Sequence, residues 1–157
     1  MIEIKEIVEP DTKSYICNET LRSLPDWFGI DASIVDYVEK VKEMPFYAAY
    51  DGNSAVGFIA IKVHNQYTAE VCVMGILKGY HRQGIGKILI EYCEMYCKNN
   101  KMDYLTVKTL DGSAKSDSYD KTRQFYLSVG FKPLEVFPLF WDEDNPCLFL
   151  VKSVAKN

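Results

Sequence analysis

The stretch Val71–Lys87, VCVMGILKGYHRQGIGK, decides how this chain is read. It opens as an apolar strand, passes through a short basic turn and enters a helix at Gly84-Ile85-Gly86-Lys87. Ile85, Ile88, Leu89, Tyr92, Cys93 and Tyr96 recur at steps of three and four, which predicts a helix with one apolar stripe. Glycines in its first turn let backbone N–H groups come close to a ligand, and the positive end of the helix dipole favours an anion there. Arg82 and Lys87 add formal charge on the same side, so the turn reads as a diphosphate cradle. The plainer alternative is a strand–turn–helix whose two glycines serve packing. A P-loop is excluded: Gly79 and Gly84 have its spacing, but Ile85-Gly86 stand where Lys and Ser or Thr belong. A dinucleotide-binding fingerprint is excluded because Leu89 stands where its third glycine belongs.

The rest of the chain gives this stretch an ordinary globular setting. A length of 157 residues predicts a single domain over 1–157, with room for a full core. Hydrophobic residues make up 48% and charged residues 25%, the balance of a soluble protein. The net charge of −4 argues against a nucleic-acid surface, since the cations that matter are local, between Lys78 and Lys87. The five cysteines form no CxxC pair and mostly sit in apolar patterns, as buried thiols in a reducing cytoplasm do. Two histidines, His64 and His81, provide no His-rich metal site, so no metal is expected. No apolar run approaches the roughly 20 residues of a membrane span, and the N-terminus lacks a signal-peptide core.

Taken in order, IEIKEIV at Ile2–Val8 alternates like a half-buried strand, and Pro10-Asp11 starts a helix reaching about Leu24. Asp26-Trp27-Phe28-Gly29 reads as a loop with two exposed aromatic rings beside a carboxylate. Asp31 or Ser33 caps a second helix that ends before Pro45. Phe46–Tyr50 and Ala55–His64 form a hairpin about Asp51-Gly52-Asn53, and Thr68–Leu77 is the next strand. After the cradle helix come a strand at Tyr104–Thr109, a polar loop, and a helix capped by Asp117 or Ser118 that closes on Gly130. Two last strands, Phe131–Phe137 and Cys147–Val151, flank Pro138–Pro146.

Two segments resemble one family. Ile76, His81, Gly84 and Gly86 resemble the acetyl-CoA motif of the GNAT N-acetyltransferases, [VI]-x4-[QR]-x2-G-x-[GA], with His81 where the family usually has Gln or Arg. Thr122–Phe131, TRQFYLSVGF, resembles the family's A-x-x-[FL]-Y-x-x-x-G-F, with Tyr119 where an asparagine is frequent. The order βααβββαβαββ is also the family's. The resemblance implies a mixed α+β domain with helices on both faces of a mostly antiparallel sheet, splayed between strands four and five so that pantetheine enters the gap. It implies acetyl-CoA as co-substrate, held by Gly75, Ile76, Lys78, Arg82, Gln83, Gly84, Ile85, Gly86 and Lys87, with the Ile76 N–H as oxyanion donor.

Acetyl transfer to an amine also needs a base and a proton for the departing sulfur. Glu70 is the expected base, directly or through water. It precedes Ile76 by six residues, an offset at which several GNAT enzymes carry a catalytic glutamate, and its neighbours Val71 and Val73 favour partial desolvation. The bland reading is a glutamate facing solvent. Tyr126 is the expected acid, by resemblance, against a plain amphipathic core tyrosine. For the acceptor, Asp26, Trp27, Phe28, Tyr37 and Trp141, with Phe140, Asp142 and Glu143, combine rings and carboxylates suited to a cationic amine. The reading is an acetyl-CoA-dependent N-acetyltransferase of a small-molecule amine in the cytoplasm, without nucleic acid or membrane, and with a homodimer left open. A peptide or protein acetyltransferase, acting on an N-terminus or a lysine, and a non-catalytic acyl-CoA sensor are the alternatives.

Overall fold

The computed structural model describes residues 1–155. Its elements are β1 (Ile2–Glu6), α1 (Pro10–Arg22), α2 (Asp31–Lys40), β2 (Phe46–Asp51), β3 (Ser54–Val63), β4 (Thr68–Ile76), α3 (Ile85–Asn99), β5 (Tyr104–Leu110), α4 (Asp117–Ser128), β6 (Lys132–Asp142) and β7 (Asn145–Ser153). The strands form one sheet in the order β1-β2-β3-β4-β5-β7-β6. Every pairing is antiparallel except β4 with β5, whose parallel alignment requires the α3 crossover between them. That pairing runs only from Thr68↔Tyr104 to Val71↔Val107. Beyond it Cys72–Ile76 and Lys108–Leu110 diverge, and the sheet is splayed where the family resemblance implies.

Each face of the sheet carries its own core. On one, α1 and α2 bring Ile16, Cys17, Leu21 and Ile34 onto Phe46, Phe58 and Val73. On the other, α3 and α4 bring Leu89, Ile90, Cys93 and Tyr126 onto Ile59, Val71, Leu105 and Val107. The buried stripe of α3 is Ile85, Leu89, Ile90, Cys93 and Cys97, turned from the stripe read in the sequence. Ile88, Tyr92 and Tyr96 flank it, half-buried. Local chemistry sets the ends. Glu9 caps α1 by accepting from the Asp11 and Thr12 N–H groups at 3.0 and 2.7 Å, ahead of Pro10 in the first turn. Ser116, one residue before the expected caps, accepts from the Tyr119 N–H of α4. α2 has no side-chain cap. Gly130 lies at φ 100°, the left-handed position that closes α4.

The largest departure is β6. It continues past Phe137 through Pro138–Asp142, where the sequence reads as a connecting loop. The pairing with β7 breaks between Phe137↔Cys147 and Asp142↔Asn145, so four residues bulge outward against one. A bulge at an edge strand hides the alternation on which a strand reading depends.

Candidate active site

The splay opens a cleft of about 1360 Å³. It is lined by the free end of β4, the turn into α3, the end of β5, α4, the loop after α1, α2 and the tip of the β6–β7 hairpin.

The turn is shaped by two left-handed residues, Arg82 at φ 64° and Gly84 at φ 79°. A Cβ at Gly84 would meet nothing, so the backbone conformation and not crowding selects glycine there. An arginine at positive φ is strained, a cost of roughly 1–2 kcal/mol that tends to persist at binding sites. From Arg82 through Lys87 no backbone N–H finds an acceptor among the described residues; pairing resumes where the Ile88 N–H meets the Gly84 carbonyl at 3.2 Å. A helix leaves its first four N–H groups free in any case. Here the run starts before the helix and stands beside Arg82 and Lys87, a grouping of donors and cations whose positive potential suits an anion.

β4 supplies the next part. The Leu77 N–H donates to the Val56 carbonyl of β3 at 2.9 Å. In an antiparallel pair, neighbouring residues point their polar groups to opposite sides, so the Ile76 N–H and carbonyl face the gap. His81 Nε2 donates to that carbonyl at 2.6 Å, which fixes the turn against the strand. The residue that departs from the family pattern therefore acts as a turn lock. The Ile76 N–H remains directed into the gap.

Two glycines have a packing reason to be glycine. A Cβ on Gly75 would lie 3.0 Å from Thr20 Cγ2 and 3.2 Å from Leu24 Cδ1, so the missing side chain there admits α1. A Cβ on Gly86 would lie 3.0 Å from Cε1 and Cζ of Phe125, so this glycine admits the α4 ring. Gly86 thus serves packing through its missing side chain, while its N–H belongs to the free run of the turn.

Tyr126 is buried beneath α4, between Phe125 and Phe131 at centroid distances of 5.4 and 5.6 Å. It lines the cleft, and its hydroxyl has no partner among the described residues. Burial first, then the nearby Tyr119, Tyr37 and Cys93, pushes its phenol above the ordinary range, so the proton is retained. Tyr37, on the opposite wall, is pushed up to about 12, mainly by burial. Both walls thus present protonated phenols.

The loop after α1 is not exposed as read. Trp27 and Phe28 are half-buried. The Trp27 indole N–H donates to Thr122 Oγ1 at 2.9 Å, and the Tyr119 hydroxyl donates to the Trp27 carbonyl at 2.8 Å. These bonds tie the loop to α4 across the cleft. Phe28 meets Tyr37 edge-on at 6.3 Å. Trp27, Phe28, Tyr37 and Trp141 line the cleft with Gly75, Ile76, Arg82, Gly84, Ile85, Gly86, Lys87 and Tyr126. Asp26, Lys78, Gln83 and Glu70 lie outside its lining. Lys78 and Asp26 pair with each other at 3.2 Å, and Gln83 Nε2 donates to the Gly79 carbonyl.

Glu70 does not face solvent. It is buried on β4, where Lys108 Nζ reaches both its oxygens at 2.9 and 3.0 Å and His64 Nε2 lies 2.6 Å from one of them. Lys108 lines the cleft and Glu70 does not, and the Lys108 ammonium lies 5.3 Å from the ring centres of Phe140 and Phe149. Sequence reasoning passed over Lys108 and over Asn145, which also lines the cleft; a lone cation in the apolar run YLTVKT was the available signal for the first.

Comparison with known proteins bears on the family and the fold. The model of the acetyltransferase (GNAT) domain family matches residues 42–133, more than half of the chain, and the chain belongs to that family. A GNAT-family structure from Desulfovibrio desulfuricans superposes with a TM-score of 0.85 at 14% identity, covering 99% of this chain and 100% of that one. An aminoglycoside 6'-N-acetyltransferase complexed with coenzyme A gives 0.79 at 20% identity, over 99% and 98%. The ribosomal-protein-S18-alanine N-acetyltransferase of Escherichia coli gives 0.78 at 14% identity, over 100% and 96%. At such identities the likeness is one of fold. Compared with curated protein sequences, the chain matches none.

Proposed function

We propose that the chain is an acetyl-CoA-dependent N-acetyltransferase that moves an acetyl group to a primary amine of a small molecule by direct attack. The observation that carries this reading is the run of unpartnered N–H groups from Arg82 through Lys87, opening into the same cleft as the free Tyr126 hydroxyl. The cradle, with the Arg82 and Lys87 side chains, holds the diphosphate. The free edge of β4 pairs with the amides of the pantetheine arm, and the Ile76 N–H meets the oxygen that becomes negative as the amine adds. Tyr37, Trp141 and Asp142 line the acceptor end, where rings and a carboxylate suit a cationic amine.

The neutral amine nitrogen forms its bond to the acetyl carbon, the carbon–sulfur bond breaks with its electron pair going to sulfur, one proton leaves nitrogen for the base, and coenzyme A departs as the thiolate, which takes its proton from solvent. Glu70 takes the nitrogen proton through water, since both its oxygens already accept hydrogen bonds and it lies outside the cleft lining. Tyr126 donates to the departing sulfur. An ordinary thiol ionises near 8.5 and this phenol is pushed above 10, so full transfer from it is uphill. Its contribution is the hydrogen bond that disperses charge on sulfur. The test is release of free thiol from acetyl-CoA with a mixed panel of small amines, peptide N-termini and lysine peptides. Turnover with small amines supports the reading. Exclusive use of peptides, or acetyl-CoA binding without any turnover, overturns it.

A further inference from the structure

β4 and β5 stay paired up to Val71↔Val107, so Lys108 is the first residue of β5 beyond the pairing, at the apex of the splay. Val107 packs into the core under α3 and α4, and side chains alternate along a strand, so Lys108 stands on the α1–α2 face. Glu70 precedes Val71 of the same core and stands on that face too. The two side chains meet there, with Lys108 Nζ 2.9 and 3.0 Å from the two Glu70 oxygens. Lys108 lines the cleft, and only 22% of its side chain is exposed, so its amine is reached from the cleft more readily than from bulk water.

We propose that Lys108 is a modification site of this chain, acetylated at Nζ by the acetyl-CoA bound in the same molecule. The inference rests on the acetyl-transfer reading of the cleft and adds an acceptor that is built into its wall. Lys87 and Lys121 also line the cleft, but neither has a carboxylate partner among the described residues. Lys87 belongs to the first turn of α3, where a diphosphate would hold its ammonium. Of the three, Lys108 alone is bonded to the carboxylate read as the base, so its proton needs no intervening water.

The ammonium gives one proton to Glu70, and the side chain turns about its own torsions into the cleft. The neutral nitrogen forms its bond to the acetyl carbon, and the carbon–sulfur bond breaks with its electron pair going to sulfur. Coenzyme A leaves as the thiolate, which takes its proton from solvent. A second proton is shed from nitrogen to water as the amide forms. The amide is stable, so each chain is modified once. Acetylation removes the charge of Lys108 and leaves Glu70 without this cation.

The test is incubation of the full chain with acetyl-CoA and no added amine, followed by intact mass and by masses of proteolytic peptides. The expected result is one acetyl group per chain, on Lys108, formed at least about tenfold faster than on any other lysine. Its first-order rate constant should stay the same from about 1 to about 50 µM chain, as an intramolecular step requires. Added coenzyme A should slow it by competing for the cleft, and unfolding in urea should abolish the preference for Lys108. Glu70→Gln, shown to be folded by its melting curve, should slow it at least about tenfold. Lys108→Arg keeps the cation and should lose the fast acetyl group with no other lysine taking its place. Labelling spread over the exposed lysines, a fast site elsewhere, or a rate constant that rises with chain concentration overturns the proposal. If small amines are acetylated over many cycles while Lys108 stays unmodified, the proposal falls and the acetyl-transfer reading stands. If neither small amines nor Lys108 is acetylated, both fall.

Discussion

Gly86→Ala separates a glycine kept for packing from one kept for a ligand. The added Cβ would stand 3.0 Å from two atoms of the Phe125 ring and 3.4 Å from Ile76 Cδ1. Contacts that close force either the ring or the first turn of α3 to shift, at roughly 1–3 kcal/mol for overpacking. Against this, replacing glycine by alanine inside a helix stabilises by up to about 1 kcal/mol. The overlap wins, for a net loss of about 1 kcal/mol and a melting temperature lower by about 2–4 °C in a chain of this size. Phe125 adjoins Tyr126 at 5.4 Å, so a ring displaced by alanine also moves the phenol, and turnover falls more than cofactor affinity does. The decisive assay is a double-mutant cycle with Phe125→Leu, read by urea denaturation. Removing the ring edge relieves the overlap, so the pair should be more stable than the sum of the single effects by about 1 kcal/mol. If Gly86→Ala raises the melting temperature and the cycle is additive, the ring is not what excludes a side chain, and the argument fails.

The remaining expectations concern the cradle, the base, the acid and alkaline stability. Gly84→Glu places an anion where the diphosphate should lie; calorimetry should show acetyl-CoA affinity down by well over tenfold, and unchanged affinity in a folded variant removes the cradle. Glu70→Gln should lower turnover on the order of a hundredfold, with acetyl-CoA binding intact and a smaller deficit at high pH, where free amine is abundant. A wild-type rate and pH profile there, with a comparable loss in Asp142→Asn, would move the base to the carboxylate that lines the cleft. Tyr126→Phe keeps volume and packing, so the melting curve should barely move while turnover falls roughly ten- to a thousandfold; full activity dismisses the phenol from the reaction. The Tyr37 phenol is pushed up to about 12 in the folded chain, mainly by burial, against about 10 unfolded. Its contribution to stability is therefore complete below pH 10 and lost as pH rises from 10 towards 12, because the unfolded chain releases its proton first. The urea midpoint should fall from about pH 8 to about pH 10.5 by less in Tyr37→Phe than in the wild type, and equal falls refute the shift.

What was legible in the sequence was what a local period encodes. The cradle helix, the strands on either side and the hairpin at Gly52 follow from spacing within ten or fifteen residues, and they stand where the spacing puts them. β6 was legible only to Phe137, because the bulge against β7 breaks the alternation that marks a strand. The site divides along the same line. Glycines at 84 and 86 are visible as absences of a side chain, but a sequence does not say what occupies the space. At Gly84 the backbone needs a positive φ, at Gly86 a ring from α4 fills the volume, and at Gly75 α1 does. Trp27 shows the limit most clearly. Its partners Ser118 and Thr122 lie 91 and 95 residues away, and only the sheet, by setting α4 against the loop after α1, brings them together. The same long-range placement sets Lys108 against Glu70 from a neighbouring strand, turning an expected solvent-facing or lightly desolvated carboxylate into a buried partner of a cation. Groups that bind through the backbone are thus written in short motifs. Groups that act through side chains depend on which strand lies beside which, and that is decided by the sheet order.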